Sequence, residues 1–309
     1  MYIRCDGRVF HRGGRIRLAM VLQQHQCPRT DRTHAAHPCT YILYNCRPGD
    51  NRHGRISVFT ADRFMTSSIA RLIALDSVNS TSSYLAGIAE TMPHGTVVSA
   101  YAQTAGRGQR GNSWESEPGA NLTFSMLLRP DGIRAAEQFS LSEAVALGLA
   151  SALRHYLPDT AVCIKWPNDI YAADRKICGI LIENSLLGSC IRHSIAGIGI
   201  NVNQTVWRSD APNPVSMAQI AGHVFDRDEV LERVCREIRH ELSLPSAPRH
   251  DRYMQALWGR YGLTYRDTAT GEIFRASIRS IAPDGMMTLA PLDGAPERVY
   301  AFKEVSVII

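Results

Sequence analysis

Residues 106–111 read Gly-Arg-Gly-Gln-Arg-Gly, and no helix can begin directly after them. The run that follows, Asn112-Ser113-Trp114-Glu115-Ser116-Glu117-Pro118-Gly119, has no apolar period and closes on Pro-Gly. A dinucleotide-binding Gly-x-Gly-x-x-Gly must open into a helix whose N-terminus faces a pyrophosphate, so this run excludes that fold. A Walker-type Gly-Lys-Ser/Thr, a Gly-x-Ser-x-Gly elbow and a zincin histidine pair are absent from the sequence as well. What remains is a backbone free to approach a ligand closely, carrying planar guanidinium groups suited to phosphate and carboxylate.

The second informative run is Lys165-Trp166-Pro167-Asn168-Asp169, with Arg175-Lys176 just beyond. It is polar yet adjoins the strand-like Ala161-Val162-Cys163-Ile164, which directs its charges toward a cleft. Lysine is scarce in this chain: of 34 basic residues only Lys165, Lys176 and Lys303 are lysines. Two of the three therefore fall in one stretch, where compact ammonium charges fit a phosphate-facing role.

Net charge is +5, but it is unevenly placed. Residues 1–68 hold eleven arginines, no lysine and four aspartates, a balance of +7 that leaves the rest at −2. The basic excess thus says little about the partners of the remaining body. Residues 1–66 lack sustained period and read as a disordered or mis-started segment. Cys27, His34, His37 and Cys39 have no common structural zinc spacing. The sequence holds no apolar run of membrane-spanning length and no signal-peptide core. Its eight cysteines include no Cys-x-x-Cys pair, so a cytoplasmic location is expected.

From Ser67 the pattern sharpens. Strands are expected over Ile69–Leu75, Thr96–Ala100, Asn121–Leu128, Val162–Trp166, Lys176–Glu183 and Ser194–Val202. A helix capped within Ser80-Thr81-Ser82 runs to Ala89, and a longer one spans Glu137–Leu157 with Leu141, Val145, Leu149, Ala152 and Tyr156 on one face. Gln204–Pro214 reads as an irregular, mobile stretch. An amphipathic helix starts at Asp228, and a shorter one ends near Leu257. Beyond Tyr265, short strands and turns at Thr270-Gly271, Pro283-Asp284-Gly285 and Asp293-Gly294 suggest a small barrel. The class is α/β (α+β).

Taken as a set, these motifs resemble the biotin–protein ligase family from about Ile69 to Ile309, in its form without a helix-turn-helix domain. The resemblance rests on Gly106–Gly111 preceded by Gln103, Lys165–Asp169 intact, Lys176-Ile177-Cys178-Gly179-Ile180-Leu181, and Gly197-Ile198-Gly199-Ile200-Asn201-Val202. Ser80-Thr81-Ser82 stands where the family has Ser-Thr-Asn, and Gln109 holds a place often taken by arginine. The resemblance implies a mixed-sheet catalytic domain over 67–260 and an SH3-like β-barrel over 261–309. It implies a ligase that joins biotin to ATP as biotinyl-5′-AMP and then passes biotin to one lysine of a biotin carboxyl carrier domain. It further implies biotin and ATP as substrates and Mg2+ as cofactor, and a monomer or weak homodimer without specific DNA binding is expected.

Implied roles follow residue by residue. Lys176 would bridge the biotin carboxylate and the α-phosphate, with Arg107 as its catalytic partner on the loop. Ser80, Thr81, Ser82, Gln103, Gly108, Gln109 and Trp114 join them around biotin, Trp114 as a cover for the valeryl chain. Arg107, Arg110, Lys165, Asn168, Asp169, Lys176 and Asn201 would hold ATP, with Asp169 as the magnesium ligand. Loop 106–118 and segment 204–216 would exclude water from the labile mixed anhydride. The rival readings are lipoate–protein ligase or octanoyltransferase, which share the fold, and a biotin-responsive transcriptional repressor.

Overall fold

The computed structural model describes residues 69–109, 112–208 and 213–308. The expectations for residues 1–66, for the Cys27, His34, His37 and Cys39 set and for Arg110 lie outside these.

The chain opens β1 (Arg71–Val78), α1 (Thr81–Ile88), β2 (Thr96–Gln103), with β1 and β2 parallel neighbours joined through the helix. Then come β3 (Leu122–Leu128), α2 (Phe139–Tyr156), β4 (Val162–Lys165), β5 (Asp169–Ala172), β6 (Arg175–Leu187) and β7 (Cys190–Ile200). These strands form a seven-stranded mixed sheet in the order β1-β2-β3-β7-β6-β5-β4. The expected mixed α/β class is observed. Strand β5 was not foreseen: four residues between two turns carry too short a pattern to register as a strand.

Period two assigns the two faces of this sheet. Leu122, Phe124, Met126 and Leu128 of β3 point to one face with Ile198 and Ile200 of β7, where the main core lies. Thr123 and Ser125 point to the other, which also holds α1. Covering the core face are α2, α4 (Arg227–Ser243) and α5 (Ser246–Ala256). Helix α2 buries more than the single stripe read from its sequence, because Ala144, Leu147, Ala150 and Leu153 are also buried. Its contact with α4 is unusually close at Gly148, where a Cβ would stand 2.6 Å from the backbone of Ile238. Asp226 caps α4, its carboxylate accepting from the backbone N–H groups of Asp228 at 2.8 Å and Glu229 at 3.2 Å.

Two further findings concern the segment read as irregular. Gln204 at its start is buried rather than mobile, and α3 (Met217–Ala221) follows, capped by a reciprocal Ser216/Gln219 box.

The remaining strands are β8 (Leu263–Asp267), β9 (Ile273–Ile281), β10 (Met287–Pro291), β11 (Arg298–Tyr300) and β12 (Val305–Val307). They form a second sheet in the order β11-β10-β9-β8-β12, which is open, with β11 and β12 as its edges, so the five strands are observed but the SH3-like barrel expected over 261–309 is not shown. Trp166 ties this sheet to the first one, donating its indole N–H to the carbonyl of Gly285 at 3.1 Å. Gly285 has φ +97, and a Cβ there would stand 2.8 Å from the Phe139 ring.

Candidate functional site

The α1 face of the large sheet has a floor without side chains. Gly179 on β6 and Gly197 and Gly199 on β7 all point to it, and Gly179 and Gly199 are paired across the two strands. At one end of this shelf is a cluster of hydroxyls. Ser125 Oγ lies 2.8 Å from Thr81 Oγ1 and 2.9 Å from Ser82 Oγ, all buried. A Cβ at Gly197 would come within 2.5 Å of Ser82 Oγ. Ser80 caps α1, and the backbone N–H of Thr81 donates to Gln103 Oε1 at 2.8 Å. The residues expected around a polar head group therefore converge, with Ser125 as an added member. Ser125 escaped the sequence reading because it sits inside an apolar strand and reaches α1 only through the fold.

At the other end stand the charges. Lys176 Nζ lies 2.7 Å from Asp169 Oδ1, with side chains 32% and 15% exposed. That oxygen receives no directed hydrogen bond, so the contact is an ion pair of loose geometry. Lys165 is paired directly across from Asp169 in the β4–β5 ladder. Burial lowers the Lys165 pKa from the usual lysine value, and the nearby Asp169 charge only partly offsets this. Two ammonium groups thus lie near one carboxylate, Lys176 in contact with it and Lys165 within reach of its charge, a surplus of positive charge suited to a phosphate chain. Asn168 is spent otherwise: its Nδ2 donates to the carbonyl of Ile180 at 2.8 Å, fixing the corner to β6.

The glycine loop folds back on itself. The Gly108 N–H donates to the Asn112 carbonyl at 2.6 Å and the Trp114 N–H to the Gly106 carbonyl at 3.0 Å. Gly106 has no room for more, since a Cβ would be 2.7 Å from the Trp114 carbonyl. Arg107 pairs with Glu183 at 2.6 Å, and both are about half exposed. Gln109 is part-buried with its Oε1 unpartnered. Trp114 lies on the shelf itself. Its indole fills the space where a Cβ of Gly199 would be and stands 3.0 Å from that of Gly179. Its buried Nε1 has no partner among the described residues, and Lys176 Nζ is 5.9 Å from the ring centroid. Between the loop and β6 a groove of about 510 Å³ is lined by Gly106, Arg107, Gly108, Leu181 and Glu183. Its size is that of a small-molecule site.

A strand-like crossing backs Lys176. Its N–H donates to the Asn213 carbonyl and its carbonyl accepts from the Val215 N–H, each at 2.9 Å. Asn201, buried, donates through Nδ2 to the carbonyls of Lys176 at 3.3 Å and Val215 at 3.1 Å. Its Oδ1 is unpartnered. Gln204 joins the two segments expected to act as covers. Its Oε1 accepts from the Glu117 N–H at 3.0 Å and Asn121 Nδ2 at 2.6 Å. Its Nε2 donates to Glu115 Oε1 at 3.2 Å.

No group of three metal-ligating side chains occurs among the described residues. Asp169 is the carboxylate at the charged end and is already paired with Lys176. A magnesium ion fits here only as one carried mainly by phosphate oxygens and water, with at most this one protein ligand.

The family model described as the biotin/lipoate A/B protein ligase family matches residues 74–201, from within β1 to just past β7. The chain is 31% identical over 247 residues to the bifunctional ligase/repressor BirA of Bacillus spizizenii, covering 74% of this chain and 72% of that protein. It is 37% identical over 144 residues to the biotin–[acetyl-CoA-carboxylase] ligase of Paracoccus denitrificans, covering 44% of this chain and 58% of that one. A solved structure of the biotin protein ligase from Aquifex aeolicus in complex with biotin and ATP matches with a TM-score of 0.63 at 25% identity, covering 78% of this chain and 99% of that one. The solved structure shares the fold, and the Bacillus relative, aligned over most of both proteins, fixes the kinship: the chain belongs to the biotin–protein ligase family.

Proposed function

We propose that this chain activates biotin with ATP and transfers the biotinyl group to a lysine of a biotin carboxyl carrier domain. The observation that carries the reading is the shelf of Gly179, Gly197 and Gly199 with hydroxyls at one end and Lys176 and Asp169 at the other. Biotin has a mostly apolar bicycle, one ureido group and a carboxylate, and this slot offers a partner for each. A carboxylate oxygen of biotin attacks the α-phosphorus of ATP, and pyrophosphate leaves. The acceptor amine then attacks the mixed anhydride carbonyl, AMP leaves, and the amine sheds its proton.

Both substrates of the first step are anions, so the step needs positive charge fixed where negative charge gathers. Lys176 supplies it, exchanging Asp169 for substrate oxygens. Lys165 faces the phosphates, and Asp169 is the side chain that would hold a magnesium ion, which would supply further charge neutralisation there. Ser80, Thr81, Ser82 and Gln103, with Ser125, orient the ureido end. Arg107, Gly108 and Gln109 close over the adenylate, and Trp114 covers the valeryl chain once a ligand has taken its place on the shelf. Asn201 acts through Lys176 by holding its backbone, and its free Oδ1 faces the nucleotide. We further propose that residues 67–260 form the catalytic domain and 261–309 a small C-terminal domain, with the basic segment 1–66 outside both.

The test is to mix the full chain with biotin, ATP, magnesium and a carrier domain and to weigh the carrier. A gain of one biotinyl group on one lysine, abolished without ATP, is expected. Transfer of lipoyl or octanoyl groups in its place overturns the reading.

A further inference from the structure

Tyr171 is buried on the α1 face between the two lysines of the site, yet no motif in the sequence points to it. Cross-strand pairing explains its place. It is the third residue of β5, diagonal to Lys165 on β4 through the Cys163–Tyr171 pair. A register shift between Ile170 and Tyr171 then sets it directly opposite Lys176 on β6. The Lys165 ammonium lies 5.2 Å from the centre of its ring, within range of a cation–π contact. Trp258 packs against the same ring, with centroids 5.1 Å apart and planes tilted by 41°. Trp258 is itself anchored, its Nε1 donating to Asp174 Oδ1 at 2.8 Å and its backbone N–H to the Ile164 carbonyl at 2.7 Å. The tyrosine ring is therefore packed against an anchored neighbour as well as facing Lys165.

We propose that Tyr171 is a positioning residue for the nucleotide half of the reaction, holding the Lys165 ammonium at the mouth of the phosphate site. Four rotatable bonds let a lysine side chain wander, and Lys165 is half-buried beside a single carboxylate. A fixed aromatic face limits that wandering and offsets part of the lost hydration without neutralising the charge, as a second carboxylate would. The charge stays available to phosphate. The hydroxyl is influenced from elsewhere, by the Asn213 side chain, which works against the upward shift that burial gives its pKa, in the segment that crosses Lys176. Ring and hydroxyl can thus be tested apart.

The proposal rests on the reading of Lys165 as a phosphate contact, so Lys165→Ala is the reference arm. The probe is biotin-dependent pyrophosphate release by the full chain, with KM measured for ATP, and biotin affinity measured separately by calorimetry without nucleotide. Lys165→Ala is expected to raise the ATP KM about ten-fold or more; an unchanged KM would mean that the phosphate reading itself is wrong. Given that rise, Tyr171→Leu is expected to raise the ATP KM by a similar factor while biotin affinity stays within about two-fold. Tyr171→Phe, which keeps the ring face, should restore ATP use to near wild type. The Lys165→Ala, Tyr171→Leu double variant should be little worse than Lys165→Ala alone. Should Tyr171→Leu not fold, Tyr171→Met carries the same test with a flexible, ring-free side chain. A parallel loss of biotin and ATP affinity, an additive double variant or no rescue by phenylalanine overturns the positioning role.

Discussion

Lys176 and Asp169 form an ion pair at 2.7 Å on the open face of the sheet, and Asp169 is at the same time the cross-strand partner of Lys165. One carboxylate thus contacts the ammonium of Lys176 on one flanking strand and acts at longer range on that of Lys165 on the other. A loose pair of this kind keeps Lys176 aimed into the slot while leaving it free to change partners. Burial and charge here work against folding and in favour of anion binding, and the two effects can be separated.

The clearest separation is at Lys165, whose pKa is lowered by burial. The unfolded chain, near the ordinary lysine value of about 10.4, holds that proton more tightly than the folded one. Stability contributed by this site therefore rises with pH between the lowered folded value and about 10.4, and the penalty is fully present below that window. Lys165→Met is expected to raise the thermal midpoint at pH 7, with the advantage over wild type shrinking as pH climbs through the window. The same variant should use ATP poorly. Equal midpoint differences at pH 7 and pH 10 would show that the buried charge is not the cause.

Gly148 sets two helix effects against each other. Alanine in a helix interior is ordinarily about 1 kcal/mol better than glycine. Here its Cβ would stand 2.6 Å from the Ile238 backbone, which no rotamer change can relieve. Forcing packed helices apart costs about 1–3 kcal/mol, so Gly148→Ala should lower stability in urea titration. A stabilised Gly148→Ala would mean that α2 and α4 are further apart than this contact requires.

Trp114 occupies the floor that the proposed ligand needs. Its buried indole N–H without a partner makes that placement a costly one, which a ligand can displace. Trp114→Ala should speed biotin association about ten-fold if the open form is a minor population, and should also speed release of the adenylate, which loses its cover. Stopped-flow binding measures both rates. An association rate equal to wild type would place the indole away from the entry route.

Much of this was legible locally. Alternation of Thr123 and Ser125 with Leu122, Phe124 and Met126 marks β3, and Ser80 marks the start of α1, because period and caps are properties of neighbours in sequence. The site was legible as a set of motifs. Its geometry was not. Gly179, Gly197 and Gly199 form a shelf only once β6 and β7 are in register, and Ser125 joins Ser82 through a contact 43 residues apart in sequence. Gln204 looked like part of a polar linker, since nothing in its neighbours reveals that Asn121 and Glu117 complete its amide. The small C-terminal strands were foreseen, but whether five strands close into a barrel depends on their register rather than their number.

The most direct measurement is biotin-dependent exchange of labelled pyrophosphate into ATP by the full chain, wild type against Lys176→Ala and Lys176→Arg. If Lys176 leaves Asp169 to join the biotin carboxylate to the α-phosphate, the alanine variant should exchange on the order of 10²–10³ more slowly. The arginine variant should also be impaired, because a planar guanidinium cannot occupy the place of a compact ammonium. Its biotin affinity without ATP should change far less. Wild-type exchange by folded Lys176→Ala would contradict the role of Lys176, and no biotin-dependent exchange by the wild-type chain would contradict adenylate formation altogether.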